Sequence, residues 1–364
     1  MPRAPVSRPV VSPRLRILLA ALLVVFGLLA VNSFYLGLVT FLEWWQQRGI
    51  EDHFYQLMFL FHLVVGLALI IPAAVFITSH LRRAWHRPNR NAVRAGLGLL
   101  VAIVALLLSG LLLVRFDFFS VRSPAVRETA YWVHVVAPIL CAWLFVLHRL
   151  AGPRIRWRSG FLIAGPGVAA ALALVLFQVH GLRAAPAAGN DDAQFAPSLL
   201  QTDTGGPIPA RVLMMDEYCA ECHADAHAQW SHSAHRFASF NNPVYRFSVR
   251  NTRDVLAARD GDTSGVRFCA GCHDVVPLLS GALDDPDFDD VRDPTANAGI
   301  TCTVCHAVTS VDSPRGNADF TITEPQHYPF AFSENPLLGW VNRQLVKAKP
   351  DFHRRTFLKP LHRS

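Results

Sequence analysis

Cys-x-x-Cys-His occurs three times in this 364-residue chain: Cys219-Ala-Glu-Cys222-His223, Cys269-Ala-Gly-Cys272-His273 and Cys302-Thr-Val-Cys305-His306. Together the three motifs take six of the seven cysteines. Two thiols at this spacing form thioethers with the vinyl groups of a haem, and the adjoining histidine is placed to take one axial position on the iron. Half a zinc site or a redox dithiol also uses Cys-x-x-Cys. Neither needs a histidine directly after the second cysteine, and here it follows every time. The motifs predict three covalent haem c groups, with His223, His273 and His306 as iron ligands.

The elements that position these motifs are read from the hydropathy pattern. The chain is 52% hydrophobic, and the apolar residues gather before residue 181 in five runs, 17–42, 54–79, 95–114, 129–147 and 161–179. Each is close to the ~20 residues that a helix needs to cross a bilayer. Five spanning helices are expected. A cleaved signal peptide is the alternative for the first run, but its apolar stretch exceeds an ordinary h-region, so a retained helix is expected.

Basic residues orient the spans, because arginines flanking them are retained in the cytoplasm. One set of ends and loops carries thirteen: Arg3, Arg8, Arg14, Arg16, Arg82, Arg83, Arg87, Arg90, Arg94, Arg149, Arg154, Arg156 and Arg158. The opposite loops carry four, Arg48, Arg115, Arg122 and Arg127. This predicts a multi-pass protein of a bacterial inner membrane, with a cytoplasmic N-terminus and periplasmic haem c motifs. The inside arginines also account for the net charge of +7, so no nucleic-acid partner is needed.

Residues 1–180 thus read as a transmembrane domain and 181–210, rich in Ala, Pro, Gly and Asp, as a linker. Residues 211–364 read as a multihaem domain of short helices and loops. The acidic run from Asp284 to Asp290 lacks the spacing and closing Glu of a calcium loop and is expected to be a solvated loop. Cys141, mid-span, is expected to be a small packing residue.

Histidines within spans are functional hypotheses by default. His62 and His80 lie 18 residues apart on the second span, which is five full turns, so both face one side. His134 and His148 lie 14 apart on the fourth, about 40° off one line. The second and fourth spans run the same way, so His62 can meet His134 near the outer face. The inner pair, His80 with His148, is mismatched by about 6 Å of rise. Pro72 and Pro138 can bend the spans enough to absorb it. Two stacked bis-histidine haem b groups fit, in a four-helix core. The plainer alternative for His80, beside Arg82 and Arg83, is an interfacial residue.

The stretch His134-Val-Val-Ala-Pro138 with His148 resembles the haem-ligating helix of cytochrome b in quinol:cytochrome c oxidoreductases. That resemblance covers about the first 150 residues. It departs from the family in the wider spacing of His62 and His80. Between the first two haem motifs, His227-Ala-Gln-Trp230-Ser-His232-Ser-Ala-His235 is similar to the Trp-x-x-Ser-x-His signature of nitrifier tetrahaem-type cytochromes c. From residue 195 onward this resemblance implies distal ligands, with His235 first and His227 and His232 behind it, and His327, His353 and His362 available downstream. It also implies a further Cys-x-x-Cys-His after Phe357-Leu358-Lys359-Pro360-Leu361-His362. The chain stops at Ser364, either short by nature or truncated.

An all-α membrane protein with a five-helix bundle and a loop-rich, mainly helical haem domain follows. The expected chemistry is electron transfer between the quinone pool, with quinol as mobile substrate, and periplasmic electron-transfer proteins. As a catalyst it would be a quinol dehydrogenase or cytochrome c reductase-type oxidoreductase. The alternative is a terminal reductase or oxidase of a small nitrogen or sulfur compound at a five-coordinate haem c. A haem-based sensor would need a cytoplasmic output module, and the inside loops are too short for one. The intact mass of protein from a host competent in cytochrome c maturation is expected to exceed the polypeptide by three haem units. Cys222→Ala should leave one haem singly attached or lost.

Overall fold

The structure is a computed structural model that describes residues 11–46, 49–85, 88–151, 157–183 and 194–359. Among the residues singled out above, Arg3, Arg8, Arg48, Arg87, Arg154, Arg156, Pro360, Leu361, His362 and Ser364 lie outside them. The chain divides into two compact units, one of residues 1–180 with 328–350 and one of residues 181–327 with 351–364.

The first unit is built on α1 (Pro13–Gln46), α2 (His53–Ala84), α3 (Arg90–Leu113) and α4 (Pro124–Leu150), four helices long and apolar enough to cross a membrane. Their outward side chains are apolar: Ile71 is 75% exposed and Ile139 71%. A water-facing surface does not tolerate such a continuous apolar sheath, whereas a bilayer requires it. A fifth helix, α5 (Trp157–Arg183), has a 15-residue apolar stretch, Gly165–Val179, among its described side chains.

Local signals set the helix starts. The Asp52 carboxylate accepts from the Tyr55 N–H at 2.9 Å to cap α2, and the Asn89 side chain accepts from the Ala92 N–H at 3.1 Å to cap α3. Pro124 opens α4, where the missing N–H costs nothing. Between α3 and α4 lies a two-strand turn, β1 (Arg115–Phe116) against β2 (Phe119–Ser120), antiparallel. α1 packs along α2 and α3 along α4, forming two hairpins. Polar groups at one end tie α1, α2 and α5 together. The Tyr35 hydroxyl donates to Gln178 Oε1, and Gln178 Nε2 donates to the Ile50 carbonyl at 2.8 Å and to Oδ1 of Asp52, the α2 cap, at 3.2 Å.

The second unit starts with β3 (Gln201–Thr202), α6 (Ala210–Leu213), α7 (Asp216–Ala220), α8 (Ala224–Ser231) and α9 (Pro243–Asp260). It continues with α10 (Arg267–His273), α11 (Val275–Ser280), α12 (Cys302–Ala307), β4 (Val308–Val311) and β5 (Phe320–Ile322). α13 (Pro336–Ala348) belongs to the first unit, and α14 (Pro350–Phe357) runs from Asp351 on in the second. β5 pairs parallel with β3 and antiparallel with β4, a small sheet within an otherwise helical unit. The apolar core is modest, centred on Leu213, Val276, Leu278, Leu279, Leu283 and Ile322.

Trp230 and His235 are pinned to the chain entering the third motif. Trp230 Nε1 donates to the Ile300 carbonyl at 2.9 Å, and the Ile300 N–H donates to the His235 carbonyl at 2.8 Å. Between them Gly299 has φ +68°, and a Cβ there would stand 2.4 Å from the His235 carbonyl oxygen. Both the backbone conformation and the contact exclude a side chain. Gly299→Ala is expected to destabilise the second unit by more than about 1 kcal/mol, read as a lower thermal midpoint of the full chain in detergent. Gly316→Ala, with nothing within 4 Å of a Cβ, should cost less despite its φ of +79°.

Candidate haem sites

The three Cys-x-x-Cys-His motifs sit on short helices, the first across α7 and the turn after it, the second within α10 and the third within α12. One helical turn brings the two thiols to one side, and in each motif the second cysteine and the histidine are exposed. The first and third motifs touch. Cys302 N–H donates to Asp216 Oδ1 at 2.7 Å. The neighbouring Cys219, burial and the Asp216 carboxylate push the Cys302 thiol up.

α14 serves both motifs. The His353 ring faces His223 with centroids 6.1 Å apart and planes within 14°. Two imidazoles on opposite sides of one metal, bonded at about 2.0–2.1 Å each, have ring centres roughly 6 Å apart. Burial, then the neighbouring His223 and His306, hold His353 below the usual histidine range. One turn along α14, the Phe357 carbonyl accepts from His306 Nδ1 at 3.0 Å.

The second motif has different neighbours. His273 Nδ1 donates to Ser239 Oγ at 3.0 Å, and the Ser239 hydroxyl donates to the His273 carbonyl at 3.0 Å. The Tyr245 ring packs 4.8 Å from His273, and its hydroxyl donates to Asp274 Oδ2. Asp274 is buried, and burial pushes its carboxyl up to about 7. Of the other histidines predicted as ligands, His227 packs on Trp230 at 5.3 Å and lies 3.9 Å from Glu217. His232 and His235 are exposed, and the His235 carbonyl accepts from the Ile300 N–H.

In the membrane unit His62 stands opposite His134 with ring centroids 6.1 Å apart, and His80 opposite His148 at 6.2 Å. Both separations match two imidazoles sharing one metal. The planes are nearly perpendicular, at 85° and 78°. Pro72 and Pro138 lie inside α2 and α4, between the two levels.

The inner nitrogens of three of these rings are committed. His62 Nδ1 donates to Asn32 Oδ1 at 3.1 Å, His134 Nδ1 to the Leu106 carbonyl at 3.2 Å and His148 Nδ1 to the Ala92 carbonyl at 2.9 Å. A proton on Nδ1 leaves Nε2 as the lone-pair donor, the arrangement that orients metal-binding histidines. His80 instead stacks on Phe76 at 5.5 Å.

Two glycines of α3 make room. A Cβ at Gly110 would stand 3.0 Å from His134 Cε1, and one at Gly96 would stand 3.1 Å from His148 Cε1. These glycines are 14 residues apart, as are the two histidines and as are Leu106 and Ala92. α3 therefore presents the same cradle twice, a glycine and a carbonyl four residues earlier. That repeat is present in the sequence, but it becomes legible only once α3 is known to pack on α4.

The donor sets fit the groups they imply: paired thiols with a histidine for covalent haem c, and facing imidazoles in an apolar bundle for haem b. A family model described as cytochrome c554 and c-prime matches residues 218–307, the stretch that holds all three motifs. No curated protein and no solved structure matches the chain. The matched stretch is a c-type haem segment, and it shares its chain with four membrane-competent helices.

The α3 cradle yields an expected outcome. Gly110→Val should displace His134 and remove one b-type haem, and Gly96→Val should remove the other, each lowering the b-type signal by about half while leaving haem c unchanged. Reduced-minus-oxidised spectra check this. His353→Ala should convert one haem c to high spin.

Proposed function

We propose that this protein is a membrane-bound electron-transfer protein that exchanges electrons between the quinone pool and periplasmic redox partners. It would carry three haem c groups, two haem b groups and five spanning helices, with the N-terminus inside. The observation that carries this reading is the pair of facing imidazoles at two levels of an apolar bundle, in the same chain as a c-type haem segment. Haem supplies a one-electron couple when bound. The chain's own residues hold and tune it. His62, His134 and His148 present Nε2, His80 faces His148 from α2, the α3 carbonyls and Asn32 fix the orientation of the first three rings, and the apolar walls exclude water.

His134→Leu is expected to abolish quinol-driven reduction of the haem c groups in proteoliposomes, while dithionite still reduces them. Full quinol-driven reduction in that variant, with the b-type spectrum intact, would make the helices a mere anchor. Reporters fused after Arg158 and after Ala210 should be active only in the cytoplasm and only in the periplasm, respectively.

The second motif supports the runner-up, a reductase or oxidase of a small nitrogen or sulfur compound. His223 is faced by His353, whereas the ring packed on His273 is Tyr245, hydrogen-bonded to the buried Asp274. A haem c that is high-spin in the purified protein and binds nitrite or hydroxylamine would favour it, and uniformly low-spin haems would remove it.

A further inference from the structure

We infer that Arg127 forms an anion site for a propionate carboxylate of the haem held by His62 and His134. The inference rests on the proposed b-type haem. Arg127 lies in the first turns of α4, seven residues before His134. Seven residues fall about 20° short of two full turns, so both side chains share one face, roughly 10 Å apart along the axis. His134 meets α3 at Leu106 and Gly110, and Arg127 meets it at the next turn, where Nη2 donates to the Leu113 carbonyl at 3.3 Å.

The other terminal nitrogen, Nη1, is buried and has no hydrogen-bond partner among the described residues. Its charged neighbour is a second cation, Arg115. Asp117 in the β1–β2 turn is taken by Lys347 and by Gln344 Nε2 at 2.8 Å. A buried guanidinium N–H without an acceptor, beside a like charge, is costly, and an anionic oxygen relieves both penalties. Across on α2, Lys349 Nζ stands 4.9 Å over Tyr55, seven residues before His62, but it is engaged by Glu51 at 2.6 Å. Arg127 is thus the cation of this pair with a donor to spare. Its place on the His134 face of α4 selects a haem carboxylate, carried on one edge of the porphyrin, over a lipid phosphate.

The test is a redox titration of the b-type haems in the full-length protein. In Arg127→Gln one b-type midpoint potential should shift negative while the other stays, because a positive charge beside the oxidised haem's carboxylate has been lost, and Arg127→Lys should recover most of the shift. Loss of that haem in the Gln variant with retention in the Lys variant counts the same way. Wild-type protein stripped of non-covalent haem with acidic acetone and reconstituted should bind haemin at least about tenfold more tightly than its dimethyl ester, and Arg127→Gln should erase that preference. Equal binding of haemin and ester by wild type, or unchanged potentials in the Gln variant, would overturn the inference. So would unchanged potentials with less co-purified phospholipid phosphorus, which would assign the site to a lipid. Wild-type protein without any b-type haem would instead defeat the functional reading on which the inference rests.

Discussion

An imidazole inside an apolar helix bundle has two nitrogens to satisfy and no water to do it. In the membrane unit Nδ1 of His62, His134 and His148 is given to Asn32 or to carbonyls of α3, which fixes the tautomer and aims Nε2 at the opposite ring. The rest of the unit follows from that. α3 must lie close enough to α4 to offer its carbonyls, so it carries glycine where His134 and His148 press against it. α1 must lie against α2 to place Asn32, which is held in turn by donating its Nδ2 to the Met58 carbonyl at 3.1 Å. The hairpin pairing of the four helices is the architecture these hydrogen bonds require.

The second unit answers a different constraint. Most of its elements are a few residues long, too short to be stable alone. The ties among the motifs are therefore specific ones. Asp216 caps the third motif from the first, Trp230 holds the chain that leads into it, and α14 sets one histidine against His223 and one carbonyl against His306. Covalent haem adds large apolar surface to such a framework.

Much of the site was legible in the residues alone because its chemistry is local. A thioether motif is five consecutive residues, and the depth of a histidine on a helix is arithmetic on residue number. Partnership across elements is not local. The residue facing His223 is His353, 130 positions later, whereas the nearby histidines that the Trp230 region offers are exposed or packed on Trp230. Residues 328–350 group with the membrane unit although they follow the haem motifs in sequence. Contacts such as Lys349 with Glu51 and Phe116 with Trp340 at 6.5 Å make that grouping, and none leaves a periodic signature. The strands β3, β4 and β5 are two to four residues long, below the length at which alternation can be read.

The central claim is that one chain holds two kinds of haem, thioether-bound in the 218–307 stretch and histidine-bound between α2 and α4. A pyridine haemochrome spectrum of the purified full-length protein tests it directly, because the two kinds absorb at distinct positions and only the b-type extracts into acidic acetone. The account predicts both signals in a ratio of three haem c to two haem b. A spectrum with haem c alone, from protein purified in a mild detergent, would contradict it.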